Sequence, residues 1–112
     1  MTEFSTELLD NGVEVVRPAG RLNMVSASRL KSVVNELVGN GHTRVVIDLS
    51  DTEFIDSSGL GALVSCLKMT RQAGGDLRIA GPTRQARTVL DLTNLGRVLQ
   101  SSPSVEVASA AF

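Results

Sequence analysis

Asp56-Ser57-Ser58-Gly59-Leu60-Gly61 holds the side chains best placed for chemistry in this 112-residue chain. A carboxylate and a pair of hydroxyls stand in a row, between the apolar run Val45-Val46-Ile47-Asp48-Leu49 and a stretch with helical periodicity. Either Asp56 or Ser57 can act as an N-cap, its side-chain oxygen accepting an N–H of the first turn. A cap needs one such residue, and here three polar residues stand together. A serine on a rigid helix start near solvent suits covalent modification. Phosphate would add about −1.5 to −2 charges there. The helix dipole would favour each by about 0.3–1 kcal/mol, while Asp56 would oppose them. The fold should survive that charge, whereas a partner packed flat on the junction would meet an unpaired dianion. The pattern points to a phosphorylation-controlled binding module rather than an enzyme. The plain alternative is that Asp-Ser-Ser does nothing beyond capping.

The elements around the junction bear on that choice. Gly59 and Gly61 leave the first turn without side-chain cover, so another molecule could approach closely. Ser58, Gly61, Ala62, Ser65, Met69 and Gln72 fall opposite the stripe of Leu60, Leu63, Val64 and Leu67, and only Lys68 near them is charged. This weakly polar flank is expected to be a docking face; the alternative is packing against a neighbouring helix of the same domain.

Asp10-Asn11-Gly12 predicts a hairpin turn, because Asn-Gly accepts the positive φ angles of two-residue turns. It would join a strand over Phe4–Leu9 to one over Val13–Pro18. Gly20-Arg21-Leu22-Asn23 then leads into a helix. There Leu30, Val33, Val34, Leu37 and Val38 mark one buried face, with Asn23 or Ser26 as cap and Gly39-Asn40-Gly41 as stop. Val45–Leu49 reads as a strand at a sheet centre covered on both faces. A second helix runs from about Ser58 to Ala73, Leu77–Ala80 is a strand, and Gly81-Pro82-Thr83 opens a third helix through about Thr93. Val98-Leu99 reads as a short last strand. After Ser102-Pro103 a short helix and a strand alternating at Val105 and Val107 both fit. Strands separated by helices imply right-handed parallel crossovers. The expected fold is α/β, with a mixed sheet of four to five strands, an N-terminal hairpin and about four helices. One domain over 1–112 is expected from the length.

Composition narrows the function. The chain has 11 basic against 12 acidic residues, which argues against a nucleic-acid groove or an anionic membrane surface. Cys66 and His42 are each the sole residue of their type, so one chain assembles no disulfide, zinc set or Cys–His pair, and no cofactor is called for. Met1-Thr2-Glu3-Phe4 has no signal-peptide character, and nothing approaches the roughly 20 apolar residues of a membrane span. A reducing, cytoplasmic setting is expected.

The chain resembles the STAS-domain family, and within it the stand-alone anti-sigma factor antagonists of bacteria. The resemblance rests on Gly20-Arg21-Leu22-Asn23, Val-Val-Ile-Asp-Leu-Ser at 45–50, Phe54-Ile55-Asp56-Ser57-Ser58-Gly59-Leu60-Gly61, Gly74-Gly75-Asp76-Leu77 and Leu95-Gly96-Arg97-Val98-Leu99. It implies partner switching. The unphosphorylated antagonist binds an anti-sigma factor, typically a serine kinase of the histidine-kinase-like ATPase fold, and so frees a sigma factor. The kinase phosphorylates the serine after the motif aspartate, and a serine phosphatase reverses this. By position that serine is Ser57, with Ser58 the second candidate. Asp56 would orient the acceptor hydroxyl, and Gly59-Leu60-Gly61 would lie against the kinase. The implied partner surface comprises Asn23, Asp56, Ser57, Ser58, Gly59, Leu60, Gly61, Ala62, Ser65 and Met69. Such a lone domain is expected to be monomeric when free. Many members carry aspartate where this chain has Asn23, and acidic residues are frequent at the place of Arg21, which implies an altered partner surface.

Rival readings fit less well. A phosphoaspartate receiver needs an acidic pair where this chain has Ala19-Gly20-Arg21-Leu22. A phosphate-binding loop needs a lysine and a length that Gly59-x-Gly61 lacks. A serine hydrolase needs a base near its nucleophile, and His42 lies in a turn expected at the opposite end of the sheet, as a solvated residue. Cys66 reads as a small packing residue. The alternative within the family is a STAS subunit of a membrane transporter of the lipid-trafficking ABC type, where the same face would serve assembly.

Overall fold

The computed structural model describes residues 3–112. Strands β1 (Glu3–Leu8) and β2 (Glu14–Leu22) form the expected antiparallel hairpin. Its turn is wider than a two-residue loop. Gly12 N–H donates to Leu9 C=O at 3.0 Å, and Leu9 N–H to Val13 C=O at 2.9 Å. Only Gly12 of the Asn-Gly pair takes a positive φ, +86°. Asn11 instead accepts Val13 N–H on its side chain at 3.2 Å.

After β2 come α1 (Met24–Gly39), β3 (Arg44–Asp48), β4 (Thr52–Ile55), α2 (Ser57–Gln72), β5 (Asp76–Ala80), α3 (Arg84–Leu92), a 3₁₀ turn at Leu95–Arg97, β6 (Ser101–Ser102) and α4 (Val105–Ala110). The sheet has six strands in the order β1-β2-β3-β5-β6, with β4 paired to the far half of β2. All pairings beyond the hairpin are parallel. The α/β class, the mixed sheet, the hairpin and the helices are as expected.

Three elements differ. β2 runs on through Leu22, where the sequence suggested an end near Pro18, and β4 was not foreseen. The two findings have one cause: Gly20, at φ +106°, and a register shift beside it let β2 leave β3 and continue alongside β4. The last strand is Ser101–Ser102 rather than Val98-Leu99. Leu99 is instead a fully buried core side chain after the 3₁₀ turn. The C-terminal segment is a helix, capped by Ser104, whose oxygen accepts Val107 N–H at 3.3 Å.

The sheet divides the interior. On one face Val16, Leu22, Val45, Ile47, Leu77 and Ile79 pack under α1, α2 and α3, which bring Leu30, Val34, Leu63, Leu67, Ala86 and Leu90. On the other face Val13, Val15, Val46 and Ala80 meet Ala108 of α4. β3 therefore buries alternate residues on both sides. That explains its unbroken apolar run. Among the described residues no helix is long and apolar enough to cross a membrane.

Candidate functional site

The site is built where β2 and β4 end together and α1 and α2 begin. Asn23 is the N-cap of α1 and accepts Val25 N–H and Ser26 N–H on Oδ1, at 3.1 and 3.3 Å. Ser26 Oγ returns the favour by accepting Asn23 N–H at 2.9 Å, completing a capping box, and donates to Arg21 C=O at 2.7 Å. Both residues named as cap candidates thus take part. At α2 the cap is Asp56, not Ser57: Asp56 Oδ1 accepts Gly59 N–H at 2.9 Å. Ser57 is released from capping. It is the first helical residue, exposed, and its hydroxyl has no hydrogen-bond partner among the described residues. Ser58 is half-buried.

The two helix starts are tied together. Asp56 N–H donates to Leu22 C=O at 3.3 Å. A Cβ on Gly59 would lie 2.2 Å from that same Leu22 oxygen. Gly59 is therefore required by the fold, which needs β2 pressed against the first turn of α2, and it is buried rather than open to a visitor. Gly61 does face open space, with nothing within 4 Å of an added Cβ.

The expected docking flank of α2 is corrected in part. Ala62 is 2 % exposed and offers no surface; Leu60, 5 % exposed, turns inward as its stripe predicts and is not open to the partner that the resemblance implied. Ser65 is half-buried, and Met69 is half-buried against the main core. α1 packs along α2, and Ala62 and Met69 join the main core between helices and sheet. What α2 leaves to solvent is a strip through Ser57, Gly61, Lys68, Arg71 and Gln72.

The larger exposed apolar groups lie elsewhere around the junction. Met24 and Val25 on the first turn of α1 are 72 % and 76 % exposed, and Phe54 on β4 is 41 % exposed. Arg21 lies over the Phe54 ring, 5.7 Å from its centre. A groove of about 410 Å³ runs beside them, lined by Arg21, Asn23, Val25, Arg29 and Glu53 among others. Sequence reasoning missed Met24, Val25 and Phe54. A signal existed for the first two, since both precede the Leu30–Val38 stripe and are out of phase with it.

Gln85 of α3 was missed as well. Its carboxamide accepts Ile55 N–H and donates to Ile55 C=O, both at 2.9 Å. No local pattern betrays it, because the contact spans 30 residues.

His42 does not join the site. Its Nδ1 is 3.8 Å from Glu14, at the start of β2, whereas Ser57 lies past the end of that strand. Nine residues of strand separate those ends by about 25 Å at roughly 3.3 Å per residue. His42 is half-buried by this contact rather than solvated. Cys66 is fully buried in the main core, and burial pushes its thiol up to about 12. Among the described residues no group of acidic, His or Cys side chains could hold a metal ion.

Fold and site together define a class: an α/β domain with a mixed sheet that presents, at a rigid helix start, a hydroxyl unengaged among the described residues, with exposed apolar groups on the adjoining elements. The chain belongs to the STAS domain family, whose model matches residues 9–108. The crystal structure of a candidate anti-sigma factor antagonist from Thermotoga maritima is 31% identical to it and superposes with a TM-score of 0.89, over 96% of this chain and 92% of that one. An anti-sigma factor antagonist from Mycobacterium paratuberculosis is 28% identical, with a TM-score of 0.88 over 99% of this chain and 93% of the other. The anti-sigma-B factor antagonist of Bacillus subtilis is 29% identical over 97 residues, 87% of each chain.

Proposed function

We propose that this chain is an anti-sigma factor antagonist that works by partner switching in the cytoplasm, as a binding protein and not an enzyme. Unmodified, it docks an anti-sigma factor serine kinase of the histidine-kinase-like ATPase fold and so frees a sigma factor. Phosphate on Ser57 ends the docking, and a serine phosphatase restores it. The observation that carries this reading is Ser57 itself: exposed, without a hydrogen-bond partner among the described residues, and held at the first position of α2 because Asp56 does the capping. The names borne by relatives that match most of the chain support the partner class.

On this reading the residues of the partner surface divide into roles. Asp56 acts through its side chain on the Gly59 N–H, holding the helix start, with Gly59 and Leu60 supporting it from within. Asn23, Ser58 and Gly61 border the acceptor. Met24, Val25 and Phe54 supply the apolar contact that Ala62, Ser65 and Met69 were expected to give. A dianion in such a contact costs about 3–4 kcal/mol, a few hundredfold in affinity.

The test is capture of partners by the unmodified chain with ATP or ADP present, identified by mass spectrometry, then calorimetry with the captured kinase. Ser57→Asp is expected to keep the fold and lose a few hundredfold in affinity; undiminished binding overturns the switch. Ser57→Ala is expected to dock but take no phosphate. Label on Ser58 in that variant moves the acceptor by one residue.

A further inference from the structure

We propose that Gln85 is a positioning residue for phosphate transfer to Ser57, its carboxamide pinning the free edge of β4 so that α2 starts in one direction only. The inference rests on the partner-switching reading and adds to it a residue from a different element.

Among the described residues β4 pairs with β2 alone, so its other edge has no strand beside it. At Ile55 that edge is closed by one side chain. Gln85 Oε1 accepts Ile55 N–H and Gln85 Nε2 donates to Ile55 C=O, both at 2.9 Å, as a neighbouring strand would. Only a carboxamide offers a donor and an acceptor side by side at that reach; an ionised carboxylate offers acceptors alone and a thioether neither in useful strength. Both contacts are half-buried, so water does not simply replace them.

Ile55 stands next to the Asp56 cap and just before Ser57. On the opposite flank Asp56 N–H is held by Leu22 C=O at 3.3 Å, and Gly59 lies against the same carbonyl. The short link between sheet and acceptor is thus gripped from both sides, by β2 and by α3. With the α3 grip removed, β4 can swing on β2, and the Ser57 hydroxyl moves with it. Phosphate transfer depends steeply on such placement, since a shift of about 1 Å can cost up to roughly a hundredfold. Met24 and Val25 stand on α1, which these bonds do not reach, and Phe54, though on β4, stays paired with Arg21 of β2, so most of the docking surface should survive.

The test uses Gln85→Met, which keeps the side-chain length and removes the clamp, and the kinase isolated by capture. Amide exchange by NMR is expected to speed up at Ile55 by about tenfold relative to the unaltered chain. Steady-state phosphorylation, well below the melting temperature of both chains, is expected to show kcat about tenfold lower with KM for the chain within about twofold. Fold destabilisation alone would leave both constants unmoved at that temperature. Gln85→Glu, which keeps an acceptor for Ile55 N–H but turns an oxygen toward Ile55 C=O, serves if the first variant folds poorly, with kcat expected to fall at least as far. Equal exchange at Ile55 overturns the clamp, and equal kcat with faster exchange overturns the positioning role. If the unaltered chain takes no phosphate at Ser57, the switch itself falls and the positioning role with it, an outcome distinct from the other two.

Discussion

Gly59 and Gly61 look interchangeable in the motif, yet the structure separates them by one contact. At Gly59 an added methyl would meet a backbone oxygen at 2.2 Å, and backbone cannot swing aside as a side chain can. Gly59→Ala is therefore expected to destabilise the chain by about 1–3 kcal/mol, the range for overpacking a filled site. Gly61→Ala meets nothing within 4 Å and removes a flexible residue from a helix. It should stabilise by about 0.5–1 kcal/mol. Urea denaturation of the two variants checks both signs; a stabilised Gly59→Ala would show that β2 and α2 are not in contact. A second contact leaves the Ser57 hydroxyl without capping duty. Asp56 takes the capping duty that Ser57 could equally have taken, and the competition between their oxygens for Gly59 N–H is won by the residue one step earlier.

The elements that meet at the junction are held by their caps. Asn23 serves two backbone N–H groups of α1 at once. Asn23→Ala is expected to cost about 1 kcal/mol of stability, as lost N-caps do. Asn23→Asp should hold or add about 0.3–1 kcal/mol through the helix dipole. Thermal melts at neutral pH and low salt would show it; equal loss in both variants would remove the cap from the account. The first turn of α1 also carries the apolar surface of the site. Val25→Glu, at a position 76 % exposed, should leave the melting temperature unchanged while weakening kinase docking by at least about tenfold, the factor of roughly 1.4 kcal/mol. A large drop in melting temperature would mean instead that Val25 supports the fold. Met69→Glu is expected to behave in the opposite way, because Met69, on α2, is half-buried against the main core.

Cys66 reports on the molecule as a whole. It lies at 0 % exposure between helices and sheet, and burial raises its thiol from about 9 to about 12. The folded chain disfavours the thiolate, so the unfolded chain releases this proton first as pH rises. Stability from Cys66 is full below about 9 and is lost between there and about 12. Alkylation at pH 8 should thus follow global unfolding and speed up with urea along the unfolding curve; fast labelling of the native chain would contradict the burial. At this scale the division between sequence and structure is plain. The sequence alone determined the α/β rhythm, the hairpin, the apolar central strand and the Asp-Ser-Ser junction, because periodicity, caps and turn residues act over a few neighbours. It could not show that Gly20 redirects β2 toward β4, that Ala62 is buried, or that Gln85 reaches Ile55. Those outcomes depend on which distant surfaces the sheet brings together, and only the packed chain decides which hydroxyl and which apolar groups are left facing water.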